Sequence, residues 1–437
     1  MMTTSHSDTL SRPPGPAEPF PIAPDDATRD ALAGWQRRYG DVFCVPDMRG
    51  GMPHWVVNEP ALVQQVLVRQ AGSYTKGMGL DRVKILLGNG IMVSEGDFWA
   101  RQRRLMQPAF RPTRLADFNA MIFDENMALA ERWTEAATAG HSVEAEAATS
   151  ELTLIIVLKS IFGADYEQLV AAGRDPFALL TEESTRDLKF AARFRGLRPV
   201  VNDLIERRLA EPKTDFDFLG YLLAARTRDG ESMSRAALID EVLTLIVAGH
   251  ETTASALAFA WYLIASHPTV RDRLQAEADA TDLTRLRETG GVARDTLAYT
   301  DHVIAEVLRL YPPGWLLSRR ATRTHELAGR PVAAGTQVFI CPWMLHRHPA
   351  QWPDPNRFDP DRFAATDTNR HRLAYIPFAA GPRHCVGEHM AATEMRVHLA
   401  TLLSRFTPEW RGRTTPRLES AINLRPADGI PLQLSSR

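Results

Sequence analysis

Tyr375-Ile-Pro377-Phe378-Ala-Ala-Gly381-Pro382-Arg383-His384-Cys385-Val-Gly387-Glu388-His389-Met390 sets one cysteine between a run of turn residues and a helical pattern. Pro377 disfavours helix in the residue before it. Gly381-Pro382 and Gly387 permit turns closed to other residues, so the spacing predicts a tight exposed loop at Cys385. Apolar residues at Met390, Met395, Leu399 and Leu402 then mark a helix that begins near Gly387. The sulfur therefore lies beside a helix N-terminus, where unpaired N–H groups and the helix dipole favour a thiolate. Arg383 adds a cation on the same loop, able to pair with a carboxylate of a bound cofactor. A lone cysteine is more often a buried core thiol, so the weight falls on its surroundings. His384 and His389 do not complete a zinc pattern, since their spacing fits no Cys/His ligand arrangement and no second cysteine is near.

A second segment carries polar groups in an otherwise apolar helix. Ser234 is a fair N-cap, and the pattern stays helical until His267-Pro268 stops it. About 32 residues at 1.5 Å each span roughly 48 Å, and apolarity nearly all round predicts a central position. In the middle lies Ala248-Gly249-His250-Glu251-Thr252-Thr253. Glycine in a helix interior costs about 1 kcal/mol relative to alanine, and one reason to accept that is room for a flat group and a small ligand. The Thr252 hydroxyl can bond back to the Ala248 carbonyl or accept a bond from a ligand. Glu251 can relay protons from solvent, and an acid beside an alcohol suits a reaction that needs protons but little free water. By itself the hexapeptide reads as well as a packed helix with back-bonded threonines.

Three smaller pieces complete the pattern. Trp99 and Arg103 are four apart and share one helix face, a candidate carboxylate clamp that ordinary amphipathic surface would also produce. Asp301–Tyr311 is an amphipathic helix with Glu306 and Arg309 at i and i+3, ended by Pro312-Pro313. Pro360-Asp361-Arg362-Phe363 supplies another arginine.

Together these pieces resemble the cytochrome P450 family. Phe378, Gly381, Arg383, Cys385 and Gly387 fill every fixed position of its haem-binding signature, Phe-x-x-Gly-x-Arg-x-Cys-x-Gly. Ala248-Gly249-His-Glu251-Thr252-Thr matches its oxygen-activation motif, and Trp-x-x-x-Arg, Glu-x-x-Arg and a Pro-Asp-Arg-Phe variant of Pro-Glu-Arg-Phe occur in the expected order. The resemblance spans nearly the whole chain. It implies a mainly α fold with small β-sheets, with a flexible arm over residues 1–24 and one catalytic domain over 25–437. It implies haem b, held between the long central helix and the Cys loop, with Cys385 as the iron ligand whose thiolate favours O–O cleavage. Trp99, Arg103, Arg383 and Arg320 are implied partners of the haem propionates, with Arg319 and Arg323 competing for the place of Arg320; Ala248 and Gly249 are implied neighbours of the ring. Glu306, Arg309 and Arg362 are implied as a buried triad that steadies the Cys loop.

The function implied is that of a bacterial monooxygenase. Glu251 and Thr252 are its implied catalytic pair, O2 its oxidant, and its substrate a lipophilic small molecule that is hydroxylated or epoxidised. No flavin, nicotinamide or iron-sulfur segment is visible, so the implied electron donors are a ferredoxin and a ferredoxin reductase drawing on NAD(P)H. Two other classes remain. A peroxide-driven peroxygenase would ordinarily lack the acid-alcohol pair, and a non-catalytic haem sensor would need a signalling segment.

Composition bounds the rest. The chain has 437 residues and 44% hydrophobic content, enough for a substantial core. A net charge of -2 gives no reason to expect nucleic acid or an anionic membrane as partner. Three cysteines, Cys44, Cys341 and Cys385, make no disulfide framework, so a reducing cytoplasm is expected, and the protein is expected to be monomeric. No uninterrupted apolar run approaches the roughly 20 residues of a membrane span.

Along the chain, helix is expected from Asp25 or Asp26 to about Tyr39, a hairpin over residues 41–58, and helix from Pro60 through Gln70. Further helices are expected at Met121–Thr138 and Thr149–Ile161, and a strand at Thr336–Cys341. Ser73–Ser94 lacks a sustained period and reads as a loop; by the resemblance it covers the substrate, with Leu80, Val83, Leu86, Leu87 and Ile91 as candidate lining. Tyr166–Glu211 reads as a shortened lid. Trp315, Leu316 and Leu317 are expected over the haem, and Pro426-Ala-Asp-Gly429 is expected as the tip of a C-terminal hairpin near the pocket.

Overall fold

The computed structural model describes residues 12–182, 188–291, 297–364 and 370–437. Asp25 accepts a hydrogen bond from the Thr28 amide at 2.7 Å and so opens α1 (Asp26–Tyr39). The expected hairpin follows as β1 (Val42–Val45) and β2 (His54–Val57), paired antiparallel. With β3 (Tyr74–Lys76), β4 (Leu317–Ala321) and β5 (Gln337–Ile340) they form one sheet in the order β1-β2-β5-β4-β3. Only β2 and β5 run parallel in it.

The expected flexible arm is corrected over its second half. The Cys44 amide donates to Pro14 O at 2.9 Å, Ile22 is buried, and Phe20 packs edge-on against Trp35 at 5.1 Å. A proline-rich segment is already extended, so laying it along β1 forfeits little freedom. Residues 1–11 lie outside the described residues.

Most of the remaining chain is helical, in α2 (Gly96–Met106), α3 (Asn119–Thr138), α4 (Ala145–Phe162), α5 (Leu197–Ala210), α6 (Arg235–Ser266), α7 (Pro268–Asp279), α8 (Ala298–Leu310) and α9 (Glu388–Leu403). Ser234 caps α6 through the Ala237 amide, and the helix runs 32 residues to Pro268. Its length and apolarity would suit a membrane span, but 72% of its apolar window is buried against the protein's own core. Trp261 illustrates that burial. Its indole donates to His398 Nε2 on α9 at 2.7 Å, and His398 Nδ1 meets Asn126 Oδ1 on α3, also at 2.7 Å. An indole can only donate, so His398 is neutral with its proton on Nδ1; burial pushes its pKa down to about 3.

Three expectations about connections change. Ser73–Ser94 is not a plain loop, because it holds β3 and the helix Leu80–Leu87, whose Val83 and Leu87 are buried in the main core. The C-terminal hairpin is β6 (Leu418–Ser420) and β7 (Leu424–Pro426), so its tip is Ala421-Ile422-Asn423 and not residues 426–429. Gly429 leads instead into Pro431–Ser436, which lies between Val143–Glu144 and Phe406–Trp410 in a second sheet. Trp315 is 1% exposed and donates to Ala421 O at 2.9 Å, which makes it core that braces the hairpin. Part of the lid, residues 183–187, lies outside the described residues.

Glu306, Arg309 and Arg362 do meet. On α8 Arg309 forks onto Glu306 with bonds of 2.6 and 2.8 Å, and its other donors reach His346 O, Pro355 O and Arg357 O. Arg362 stands 3.4 Å from the same carboxylate. His346 then accepts the Ile376 amide at 2.8 Å, and Tyr375 donates to Ala305 O at 3.0 Å, so the buried ions fix the residues that enter the Cys loop. Removing one member strands a buried charge. Glu306→Ala is therefore expected to lower unfolding free energy by about 3–5 kcal/mol, read from the denaturant midpoint at unchanged slope; a loss below about 1 kcal/mol would place the triad with weak surface pairs.

Candidate active site

Cys385 closes its loop by donating its amide to Phe378 O at 3.0 Å, three residues ahead of α9. The turn depends on Gly381. Its φ is +72°, and a Cβ there would collide with Leu67 O on the neighbouring helical turn. Gly387 differs from expectation, because its φ of -88° is open to any residue. A Cβ there would rest 3.9 Å from Cys385 Sγ, an ordinary contact.

Cys385 is exposed, and it also borders a recess of about 420 Å³. Burial nonetheless pushes the Cys385 thiol up, against the amides of Gly387 and Glu388 and the Arg103 charge. Arg104 and Arg111 share the recess with Arg103 and outnumber Glu388, which leaves it basic.

Trp99 and Arg103 lie on one face of α2, and that face meets the Cys loop. Arg383 stacks on the Trp99 ring at 3.6 Å, and Arg103 donates to His384 O at 2.8 Å. Arg383 also pairs with Glu95 and donates to Ser94 O at 3.2 Å. Arg320 is not part of this group. Neighbours in a strand point to opposite faces, and Arg320 is the exposed member while Arg319 turns inward. The propionate expectation accordingly moves from Arg320 to Arg319. Arg323 bonds Ser73 Oγ at 3.0 Å, away from the group.

Lys76, opposite Arg319 in the β3–β4 register, was not visible in the sequence pattern. Burial and the charges of Arg383 and Arg319 push it down to about 7, against the attraction of Glu95. Burial and Arg383 likewise lower Arg319 to about 10. Three cations thus outnumber the carboxylates that face them, Glu95 and, across Lys76, Glu241, a set that further carboxylates would relieve. A porphyrin with two propionates would fit that deficit, and the accessible thiol would hold its iron.

On α6 the burial breaks where the motif lies. Ala248 is exposed and Thr252 half-buried in a helix otherwise packed on most sides. Thr252 donates its hydroxyl to Ala248 O at 2.8 Å, as expected. Gly249 has a further reason beside the one expected: a Cβ there would stand 2.8 Å from Val157 Cγ2, so its absence lets α4 cross closely. Glu251 accepts a hydrogen bond of 3.0 Å from Asn423 at the hairpin tip, a partner that only the corrected turn position brings within reach.

Comparison with known proteins agrees with this geometry. The model of a family described as Cytochrome P450 matches residues 22–183 and 174–430. The chain is 36% identical over 392 residues to cyclooctatin synthase of Streptomyces melanosporofaciens, covering 84% of this chain and 82% of that protein. It is 33% identical to cyclooctat-9-en-7-ol 5-monooxygenase of the same organism, over 82% and 80%. Pentalenene oxygenase of Streptomyces avermitilis is 30% identical, over 83% and 82%. The crystal structure of a cytochrome P450, CYP102L1, superposes with a TM-score of 0.83 at 26% identity, covering 98% of this chain and 100% of that one.

The two loop glycines should respond differently to a methyl group. Gly381→Ala is expected to cost about 1–3 kcal/mol, from the strained φ and the Leu67 collision. Gly387→Ala is expected to stay within about 0.5 kcal/mol of the parent. Thermal unfolding of the two variants checks this, and equal losses would contradict it.

Proposed function

The chain belongs to the cytochrome P450 family and is a monooxygenase of that family; we propose that it transfers one oxygen atom from O2 to a lipophilic small molecule, by hydroxylation or epoxidation, using electrons from a ferredoxin and a ferredoxin reductase. What carries the reading is an accessible thiol at the head of α9 beside a surplus of buried cations.

Cys385 would hold the iron of haem b, and Arg383, Arg319, Trp99 and Arg103 would hold its propionates. When bound, the haem supplies dioxygen activation, with O–O cleavage favoured by the proximal thiolate. Cys385 loses its proton on ligation, because a coordinating thiol is deprotonated outright. Thr252 has its hydroxyl proton committed to Ala248 O, so in this rotamer its oxygen accepts a hydrogen bond from the open side. Releasing that 2.8 Å bond turns it into a donor. Glu251, held by Asn423, would relay a proton from solvent to replace the one Thr252 gives up.

The basic recess at Cys385 suits a small acidic electron carrier, since complementary charge steers encounter. Two relatives are named for cyclooctat-9-en-7-ol and pentalenene, which supports an apolar substrate.

Two experiments test the assignment. Thr252→Ala is expected to lower product formed per reductant consumed by roughly 10²-fold, with reduced oxygen species appearing instead and reductant use persisting; unchanged coupling would remove Thr252 from proton delivery. Arg319→Ala is expected to weaken cofactor retention during gel filtration while Arg320→Ala does not, and the reverse result would return the propionate role to Arg320.

A further inference from the structure

The stretch from Gly88 to Glu95 is held by charged groups of which only Lys76 belongs to the cation cluster above. Asp240 and Glu241 on α6 each take one of its amides. Asn89 N–H donates to Asp240 Oδ2 and Ile91 N–H to Glu241 Oε2, both at 2.7 Å. From the other side the Lys76 ammonium donates to Ile91 O at 2.7 Å and to Ser94 O at 3.0 Å. Ser94 O also accepts from Arg383 at 3.2 Å, and Glu95 joins the Lys76 amide, at 2.7 Å, to Arg383. An unbroken run of hydrogen bonds therefore leads from Glu241 on the central helix, through Ile91 and Lys76, to the arginine beside Cys385.

Two glycines let the stretch lie this close. A Cβ on Gly88 would overlap the Asp240 carboxylate, and one on Gly90 would overlap Thr244 Oγ1 and stand 2.7 Å from Asp240 O. Glu241 is fully buried, and Gln102 donates to its second oxygen at 3.1 Å. Burying a carboxylate and an ammonium is costly, and main-chain bonding could anchor a short loop without either. Groups kept in spite of that cost do something besides hold the loop.

We infer that Glu241 and Lys76 are positioning residues, which clamp residues 88–95 between the central helix and Arg383 and thereby set where that arginine stands. The groups facing them give the clamp a pH signature. Burial raises Glu241 to about 7, with Asp240 adding to the rise and the Ile91 and Gln102 hydrogen bonds and Lys76 opposing it. Arg198 pairs with Asp240 at 2.7 Å and completes the charges on that side. Lys76 falls to about 7 by burial, with Arg383 and Arg319 adding and Glu95 and Glu241 opposing.

Opening the stretch to water returns both groups toward their ordinary values. On the acid side of about pH 7, opening releases a proton from Glu241 and so becomes easier as pH rises. On the alkaline side it takes up a proton at Lys76 and so becomes harder as pH rises. Opening is thus easiest near neutrality.

Hydrogen exchange on the purified holoprotein reads this without turnover, so its outcome is independent of the substrate and of the proton-delivery roles proposed above. Corrected for intrinsic rates, protection of the Asn89 and Ile91 amides is expected to pass through a minimum at neutral to alkaline pH, the alkaline limb lying higher in the holoprotein because bound propionates favour charged Lys76. Glu241→Gln is expected to lower Ile91 protection about ten-fold and to flatten the acidic limb only; Lys76→Met is expected to flatten the alkaline limb only. In both variants the Cys385 amide, bonded to Phe378 O, is expected to lose protection as well. Gly90→Ala lifts the stretch while keeping both ionisable groups, and is expected to lower protection at the same amides should either charge variant fail to fold. Unchanged Ile91 protection in the variants, or a profile without a minimum, would overturn the clamp. Loss at Ile91 with none at Cys385 would overturn its reach to Arg383.

Discussion

Lys76, Arg319 and Arg383 gather about Glu95, with Glu241 beyond Lys76, beside a loop that exposes a single sulfur. The unequal count is the constraint around which the site is built. The sheet contributes Lys76 and Arg319 from paired positions, α2 contributes Trp99 and Arg103 from one face, and the Cys loop contributes Arg383. None of these elements is local to another in sequence. The fold's work at this end of the molecule is to bring like charges together.

A second buried charge set does the opposite. Glu306 and Arg309 leave almost no bonding capacity unused, and their surplus donors are spent on main-chain carbonyls around His346 and Pro355. That set is rigid because it is satisfied. The cation cluster is receptive because it is not. Between them lies Cys385, fixed from below through His346 and Tyr375 and flanked above by Arg383.

Much of this was legible in the chain because it is written locally. The Cys loop, the central helix with its cap and proline stop, the Trp99–Arg103 face and the Glu306–Arg309 pair all follow from spacing within one element. What escaped depends on pairing between distant strands. Choosing between Arg319 and Arg320 needs the strand's facing, which adjacent arginines leave open, and Lys76 gains meaning only opposite Arg319. Gly249 reads as ligand room in the sequence, and only the fold adds the crossing helix as a further reason. The hairpin tip was misplaced because Pro426 and Gly429 look like a turn, while the true turn, Ala421-Ile422-Asn423, carries no such signal. That error also hid Asn423 as the partner of Glu251.

All of these assignments assume that the sulfur of Cys385 binds iron. The most direct measurement is the absorption spectrum of the reduced protein under carbon monoxide, for the parent chain and for Cys385→Ser. The account predicts a strongly red-shifted Soret band in the parent, as thiolate donation to the metal requires, and its loss when an alcohol replaces the thiol. A parent protein purified without porphyrin, or a red-shifted band that survives the substitution, would contradict it.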